Sequence, residues 1–176
     1  MLKKIIYLIY LLLSLINLRY LSKRLDNILC FLRSFLLKLL GAKIGKNSKI
    51  LSGVTILKPK NIIIGDNTNI GINSKIYNYS KVFIGNNVDI GPELYINTNN
   101  HTFKDPNLPL AYQDYETEDI KIGSNIWIGA RVIMLKKTQL ENNIVIGAGT
   151  LINKKLQSGY LYAGIPAEKK KKLNFI

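Results

Sequence analysis

A six-residue spacing of aliphatic side chains is the feature of this sequence that most restricts its fold. The count starts at Ile44 and advances by six, with two extra residues after Ile56 and two more after Ile76. It stops after Ile96, resumes at Ile122 and ends at Ile152. The fifteen positions, all aliphatic, are Ile44, Ile50, Ile56, Ile64, Ile70, Ile76, Ile84, Ile90, Ile96, Ile122, Ile128, Met134, Leu140, Ile146 and Ile152. Glycine follows eight of them, at Gly45, Gly65, Gly71, Gly85, Gly91, Gly123, Gly129 and Gly147.

A period of six matches neither an α-helix nor a simple alternating strand. It matches a parallel β-helix in which three hexads form one triangular coil and each aliphatic side chain points into a shared core. The glycines would let the backbone turn the corners, either with a positive φ or by giving tight clearance. The repeat therefore predicts a mainly β protein with five coils between residues 44 and 152. The period alone does not give the hand of the helix.

The repeat is interrupted between Asn97 and Asp119 by the segment NTNNHTFKDPNLPLAYQDYETED. A long irregular segment inside a compact domain is usually functional or disordered. This one holds His101, the sole histidine of the chain, together with Pro106 and Pro109. Asparagines that tolerate a left-handed backbone occur around the predicted corners, and we interpret most of them as turn residues. They are Asn47, Asn67, Asn69, Asn73, Asn86 and Asn87.

Residues 1–43 differ in composition from the repeats and predict two helices. The apolar run from Ile5 to Leu18 is followed by basic residues and no signal-peptidase site, and about 14 residues are short for a bilayer that needs roughly 20. The second helix ends at Gly41. Its apolar residues at helical spacing are Leu25, Ile28, Leu29, Leu32, Leu36, Leu39 and Leu40, with Arg33, Ser34 and Lys38 elsewhere on the wheel. Phe31, Phe35 and Leu37 widen this apolar face beyond what one packing seam needs. Two roles stay open for the helices, since they can cap the first coil or lie on a membrane.

Charge and rare residues limit the possible functions. The formal charge is +14, and the excess lies mostly outside the coils. Solubility, an anionic membrane surface or phosphate groups can each account for it. The coils lack the aromatic-and-basic face of a nucleic-acid groove, so we expect no nucleic-acid partner. One histidine nearly excludes a metal site built from several imidazoles, and Cys30 as the only cysteine excludes an internal disulfide and suits a reducing compartment.

Four segments give a resemblance to a known family. The stretch IGNNVDIGPELYINTNNHTFKDPNLP, the coil IKIGSNIWIGARVIM, and the closing segments IVIGAGTLINKKL and AGIPAEKKKKL occur in this order. Together they resemble the hexapeptide-repeat acyltransferases. The most similar groups are the galactoside, maltose and nodulation-factor acetyltransferases and the O-acetyltransferases of exopolysaccharide and lipopolysaccharide clusters. The resemblance implies a left-handed β-helix, acetyl-CoA as co-substrate, no metal, and a threefold homotrimer with sites between subunits.

The resemblance also implies roles for particular residues. His101 would be the general base that takes the proton of an attacking hydroxyl, a task suited to imidazole near neutral pH. Five carboxylates could orient it, as could a backbone carbonyl; the carboxylates belong to Glu93, Asp105, Asp114, Glu116 and Asp119. Asn73 and Trp127 would lie near the acceptor, although a turn role for Asn73 and plain packing for Trp127 are open alternatives. The residues implied for coenzyme A are Ala130, Ala148, Asn153, Lys154 and Lys171. The chain departs from the family at Gly71, where many relatives carry asparagine, and at Glu168, where they carry a basic residue.

The sequence thus predicts an extension over residues 1–43 and a β-helical acyltransferase domain over residues 44–176, with an active-site loop at 97–121. The expected function is O-acetylation of a sugar hydroxyl in a surface polysaccharide or its lipid-linked precursor. N-acetylation of an amino sugar and a catalytically silent scaffold bound to a membrane are the alternatives. We expect a cytoplasmic protein, peripheral on the inner face of the membrane through residues 1–40.

Overall fold

The computed structural model describes residues 1–19 and 21–174 of the chain, which form two helices followed by a parallel β-helix. The helices are α1 (Leu2–Ser14) and α2 (Lys23–Leu39). The β-strands are β1 (Lys43–Ile44), β2 (Lys49–Ile50), β3 (Thr55–Ile56), β4 (Ile62–Ile64), β5 (Asn69–Ile70), β6 (Lys75–Tyr77), β7 (Val82–Ile84), β8 (Val88–Ile90), β9 (Tyr95–Asn97), β10 (Asn99–His101), β11 (Tyr115–Thr117), β12 (Ile120–Ile122), β13 (Ile126–Ile128), β14 (Ile133–Met134), β15 (Gln139–Leu140), β16 (Ile144–Ile146), β17 (Leu151–Ile152), β18 (Lys155–Leu156), β19 (Tyr160–Ala163) and β20 (Glu168–Lys172).

Three parallel sheets form the sides of the coil stack. Sheet A has the strand order β1-β4-β7-β12-β15-β18, sheet B the order β2-β5-β8-β13-β16-β19-β20, and sheet C the order β17-β14-β9-β6-β3. Each strand pairs with the strand one coil further on, as in Ile44↔Ile64 and Ile64↔Ile84. All fifteen aliphatic positions of the repeat are buried in one core. The predicted β-helix is therefore confirmed.

The coil count is larger than predicted. The stack has about six turns, because β18 joins sheet A and β19 joins sheet B after the fifth coil. The corner before β18 is two residues shorter than the one before it, so a strict count of six passes over Leu156. In the incomplete last turn Tyr162 takes the core position opposite Ile146, and its hydroxyl donates to the Gln157 carbonyl at 3.1 Å. The strand β20 then pairs with β19 in antiparallel direction and closes this edge of sheet B.

Glycine and asparagine have roles at the corners that differ from those predicted. No glycine that follows a core aliphatic residue has a positive φ among the described residues. Gly65 instead gives clearance, since a Cβ there would lie 2.7 Å from the Gly85 carbonyl group. The left-handed residue comes two positions later, at Asn47, Asn67 and Asn87. Side-chain hydrogen bonds join these three residues along the stack. The Asn47 amide donates to Asn67 and the Asn67 amide to Asn87, each with an N···O distance of 3.2 Å.

The two helices cover the open end of the first coil. Strands β1–β3 pair on one side only, so carbonyl groups on the other side need donors from elsewhere. Tyr10 donates its hydroxyl to the Val54 carbonyl at 2.6 Å. Tyr7 donates to the Ile56 carbonyl at 3.0 Å. Burial raises the pKa of Tyr10 well above its usual value, so this hydroxyl stays protonated as a donor.

Arg33 links α1, α2 and the first coil. It is completely buried, and its guanidinium donates to the Leu13 carbonyl at 3.2 Å, to the Ile16 carbonyl and to the Ile50 carbonyl at 3.4 Å. The Leu13 carbonyl belongs to the last turn of α1 and that of Ile16 follows its C-cap, where a positive charge is also favoured by the helix dipole. The described contacts place no carboxylate against this charge, which is balanced by carbonyl dipoles.

The helix α2 presents its more apolar face to the outside. The side chains that it buries are Cys30, Arg33, Ser34 and Leu37. Exposed apolar side chains of α2 are Leu25, Ile28, Phe31, Leu32, Phe35 and Leu39. Helix α1 adds Ile5, Leu8, Ile9 and Leu12. We call these ten residues the outer apolar face. No helix in the described ranges is long and apolar enough to cross a membrane. As predicted, α2 stops just before Gly41, whose φ is +102°.

Candidate active site

The interruption of the repeat is an ordered loop that leaves the corner between sheets C and A. Strands β10 and β11 pair in antiparallel direction at its base, with His101 opposite Tyr115. The buried side chain of Gln113 organises the outer part. It accepts from the Lys104 amide at 2.9 Å and donates to the carbonyls of Asp105 and Leu108, both at 2.9 Å. The loop is therefore held by its own hydrogen bonds.

His101 is half-buried at the base of this loop. Its ring lies 4.4 Å from the Tyr115 ring, measured between centroids, with an angle of 45° between the planes. The Nδ1 atom is shielded from solvent and has no hydrogen-bond partner within the described chain. A shielded ring nitrogen without a partner is unusual in a folded protein. The chain alone thus leaves one of the two imidazole nitrogens unsatisfied.

The five carboxylates considered as partners of His101 are not hydrogen-bonded to it in the described structure. Glu93 pairs with Arg131 at 2.7 Å, and Glu116 pairs with Lys136 at 2.6 Å. Asp119 accepts from the Lys81 amide at 2.9 Å and from the Ser80 hydroxyl. Asp105 accepts from the Asn107 amide at 2.9 Å. Four of the five carboxylates are thus engaged elsewhere. The fifth residue, Asp114, accepts a hydrogen bond from Thr102 through its backbone carbonyl.

Asn73 lies at the corner between sheets B and C, in a surface depression of about 500 Å³ that also includes Lys75 and Tyr95. It has a left-handed backbone with a φ of +58°, as a turn residue would. Its amide oxygen stands over Gly53, where a Cβ would come within 2.0 Å of it. The missing asparagine at Gly71 also has a local cause, because a Cβ there would lie 2.1 Å from the carbonyl oxygen of Gly91.

Ala130 and Ala148 occupy the same edge as Asn73, two and three coils further on. They stand next to each other along the stack, since the Gly149 amide donates to the Ala130 carbonyl at 2.8 Å. A Cβ on Gly129 would lie 2.6 Å from the Ala148 nitrogen. This edge is therefore lined by small residues with closely spaced backbone, which leaves room for a ligand to approach main-chain groups.

The remaining predicted residues lie on other parts of the surface. Asn153 and Lys154 are exposed at the corner between sheets C and A, the corner from which the His101 loop also leaves. Trp127 lies on the outer face of sheet B and is 59% exposed, so it is not core packing. Lys171 is exposed on β20, opposite Leu161.

The structure thus distributes the eight predicted residues over two edges and one face of the coil stack. Asn73, Ala130 and Ala148 share one edge, while His101, Asn153 and Lys154 share the next. Sheet C separates these two groups. No single side of the chain carries all of them, so a site that uses all of them requires more than one surface of the stack.

Two residues that position the loop were missed by sequence reasoning. Gln113 resembles any other polar loop residue, and only its buried contacts show its role. Tyr115 could have been considered from the alternation in the segment YET, which is compatible with a strand. Within residues 1–19 and 21–174, no three His, Cys, Asp or Glu side chains come together in a way that could hold a metal ion.

Comparison with known proteins agrees with the repeat pattern. The family model described as hexapeptide repeat of succinyl-transferase matches residues 61–97 and 119–154. Both matched segments lie in the coils of the parallel β-helix. Among curated relatives, the chain is 30% identical over 89 residues to WbbJ from Escherichia coli K12, whose name assigns it to lipopolysaccharide biosynthesis as an O-acetyl transferase. That match covers 47% of this chain and 45% of WbbJ, so it spans less than half of this relative.

Solved structures of two acetyltransferases share the fold over most of the chain. A maltose O-acetyltransferase from Clostridium difficile 630 superposes with a TM-score of 0.74 at 28% identity, covering 82% of this chain and 76% of its own. The hexapeptide-repeat acetyltransferase VCA0836 from Vibrio cholerae, in complex with acetyl coenzyme A, gives a TM-score of 0.74 at 25% identity and covers 81% of this chain and 77% of its own. The resemblance found in the sequence is thus confirmed.

Proposed function

We propose that this chain is an acetyl-CoA-dependent O-acetyltransferase that modifies a sugar hydroxyl of a surface polysaccharide or its lipid-linked precursor. The observation that carries the proposal is His101, held at the base of an ordered loop on a hexapeptide-repeat β-helix. The names of similar proteins support the donor and the acceptor class, since they include O-acetyltransferases and a complex with acetyl coenzyme A.

His101 would act as general base in a direct transfer. As the acceptor oxygen attacks the thioester carbonyl, its proton passes to the imidazole and a tetrahedral oxyanion forms. The C–S bond then breaks, and the sulfur of coenzyme A leaves with the proton that the imidazole returns. Backbone N–H groups at a glycine-rich corner are suited to stabilise the oxyanion. No covalent enzyme intermediate is needed, and the buried thiol of Cys30 lies at the opposite end of the stack.

The unpartnered Nδ1 atom of His101 suggests that a group from outside this chain completes the site. If one imidazole nitrogen is to accept a proton, the other must already carry one. With Nε2 as the base, that proton is on Nδ1, and a shielded N–H needs an acceptor. A bound ligand or a second copy of the chain would supply it.

A homotrimer would also bring the separated residues together. The small-residue edge with Ala130 and Ala148 would hold the pantetheine arm of one acetyl-CoA, while a neighbouring copy would present its His101 loop. Lys154 and Lys171, with Asn153, would lie near the nucleotide phosphates. Both lysines are exposed and form no ion pair with another described residue, and such ammonium groups favour phosphate oxygens. Asn73 and Trp127 would contact the acceptor.

The outer apolar face supports a peripheral position on an anionic membrane. An apolar helix face that is not packed on protein suits the interfacial region of a bilayer. Basic residues flank it, including Lys3, Lys4, Arg24 and Lys38. Anionic lipid headgroups would attract them, and a membrane position would bring the enzyme to a lipid-linked acceptor.

The direct test is a transfer assay with the purified full chain, acetyl-CoA and a panel of sugars that carry free hydroxyl or amino groups. Coenzyme A release gives the rate, and proton NMR of the product before and after mild base distinguishes an ester from an amide. We expect a base-labile acetyl group, and a loss of about 10²-fold or more in kcat for His101→Ala. Asn107→Ala, an exposed change in the same loop, is the matched control.

The outcomes separate the alternatives. A base-stable product would show N-acetylation. Wild-type-like turnover by His101→Ala would remove the histidine from the mechanism. Failure to bind acetyl-CoA would leave a silent scaffold as the better interpretation.

A further inference from the structure

A groove of about 610 Å³ lies between α2 and the first corner of the β-helix, at the opposite end of the stack from the last coil. One wall is apolar and consists of Cys30, Phe31 and Phe35. Lys46 and Lys49 line the opposite wall, and Lys38 lines the groove from the last turn of α2. None of the residues assigned above to acetyl-CoA or the acceptor lines this groove.

The apolar wall is open to the surroundings. The Phe31 and Phe35 rings are stacked with their centroids 6.4 Å apart. Phe31 is 68% exposed and Phe35 is 47% exposed. Apolar rings in contact with water are unfavourable, and a hydrocarbon chain that covered them would remove their surface from water. These residues are also part of the outer apolar face, so the groove opens next to the surface proposed to meet the membrane.

The basic wall is not neutralised by the protein. None of the ion pairs among the described residues includes Lys38, Lys46 or Lys49, and no carboxylate lines the groove. The one described side-chain contact of these ammonium groups is from Lys49 to the Asn27 amide oxygen at 3.0 Å. The carboxylate of Asp66 accepts from the Lys46 backbone amide at 2.7 Å and not from these ammonium groups. Three cations that form no ion pair in the described structure favour an anion, and phosphate oxygens suit ammonium donors.

Ser34 also lines the groove, from the side of α2. It is only 7% exposed, and its hydroxyl has no hydrogen-bond partner in the described structure. A shielded hydroxyl without a partner costs free energy, and a ligand oxygen would satisfy it. This unpartnered group is independent of the lysines and points to a ligand in the same groove.

We propose that the groove binds one anionic lipid, with its hydrocarbon chain against Phe31 and Phe35, its phosphate at Lys38 and Lys46, and a headgroup or ester oxygen at the Ser34 hydroxyl. A phosphate on a hydrocarbon chain satisfies both walls, whereas a free phosphate satisfies only the basic one. A second copy of this chain is a poor occupant, since a twofold contact at this groove would set the same lysines of both copies against each other. The inference deepens the proposed membrane position but does not depend on acetyl transfer.

The test is calorimetric titration of the full chain, without acetyl-CoA, with dioctanoyl phosphatidic acid below its micelle concentration. We expect saturable one-to-one binding, at least 10-fold tighter than that of dioctanoyl phosphatidylcholine or inorganic phosphate. Farnesyl phosphate is titrated in parallel. Preference for it would identify an isoprenyl carrier as the source of the lipid, and preference for the diacyl compound would identify a membrane phospholipid.

Variants locate the site. The double change Lys38→Gln and Lys46→Gln should weaken binding at least 10-fold, while Lys60→Gln with Lys81→Gln, two exposed lysines outside the groove, should change it less than 2-fold. Phe35→Ala should weaken binding more than Leu39→Ala, a change on the outer apolar face beyond the groove. Ser34→Ala should weaken binding about 3- to 10-fold without lowering the melting temperature, because the hydroxyl has no partner in the protein.

Three results would overturn the proposal. One is equal affinity for the anionic and zwitterionic lipids. Another is a wild-type constant in the Lys38/Lys46 double variant. The third is Ser34→Ala binding as tightly as the wild type. Sedimentation of the chain with and without lipid shows whether the groove is instead occupied by a second copy, in which case the groove variants change the oligomeric state and not lipid binding.

Discussion

Replacing Arg33 with methionine removes a guanidinium that links both helices to the β-helix. Methionine keeps much of the length and the apolar contacts of the stem. It leaves the carbonyls of Leu13, Ile16 and Ile50 without their shared donor. Hydrogen bonds from a charged group contribute about 1.5–3 kcal/mol each, and part of that is offset because a buried charge no longer has to be desolvated.

We estimate a net loss of about 3 kcal/mol in the free energy of unfolding. For a chain of this size, each kcal/mol corresponds to roughly 2–4 °C, so the melting temperature should fall by roughly 6–12 °C. The assay is thermal unfolding followed by circular dichroism. Limited digestion with trypsin supplements it, since detachment of α1 would expose the chain after Arg19 to cleavage.

Arg131→Met is the matched control. Arg131 is 76% exposed at its side chain and pairs with Glu93 at the surface, where such pairs contribute about 1 kcal/mol or less. Arg33→Lys should be intermediate, because one ammonium group cannot reach three carbonyls. If Arg33→Met unfolds within 2 °C of Arg131→Met, as judged by the scale above, then the guanidinium does not hold the helices in place.

Three further changes test other parts of the structure. Gly71→Asn, which restores the residue common among relatives, should destabilise the fold by about 2 kcal/mol or more, because its Cβ would lie 2.1 Å from the Gly91 carbonyl oxygen; an unchanged melting temperature would contradict this. Burial raises the pKa of Tyr10, so its contribution is complete below the ordinary value of 10.0 and is lost as the pH rises above it. Melting curves from pH 8 to 11 should therefore show a steeper alkaline loss for the wild type than for Tyr10→Phe. Gln113→Leu should lower the transfer rate at least 10-fold with little change in the melting temperature of the coils, since it frees the loop that holds His101; equal rates would show that the loop does not need this amide.

The β-helix could be predicted because its cause is periodic. Each coil buries the same kind of side chain at the same interval, so the spacing from Ile44 to Ile152 fixes the strands and the core. The sixth turn was missed because Leu156 follows a shortened corner and Tyr162 replaces an aliphatic residue. A count of six has no means of detecting a two-residue deletion.

The orientation of α2 could not be predicted in the same way. On a helical wheel Arg33 and Ser34 lie off the apolar face. The open end of a coil, however, presents carbonyl groups that need donors, and an arginine satisfies several of them at once. Hydrogen bonding therefore determines which face of α2 packs against the coils. A pattern of hydrophobic residues does not reveal this.

The candidate site was predictable in part. A lone histidine in the one long interruption of the repeat was a recognisable signal, and the structure places it on an ordered loop. Its surroundings were not predictable, because Tyr115 and Gln113 act through contacts between strands and across the loop. Four of the five carboxylates suggested as partners of His101 are bonded elsewhere, for example Glu116 to Lys136.

The position of α1 and α2 under the first coil sets the distance between the outer apolar face and the His101 loop. Neighbouring strands in a stack are about 4.8 Å apart, and the His101 loop leaves after the third coil, which puts it about 10 Å above the first coil. The helix layer adds about 10 Å more. On a bilayer that meets the outer apolar face, the imidazole would stand roughly 20 Å from the lipid surface. If the proposed acetyl transfer takes place in this position, the acetylated sugar would be separated from its lipid anchor by several rings.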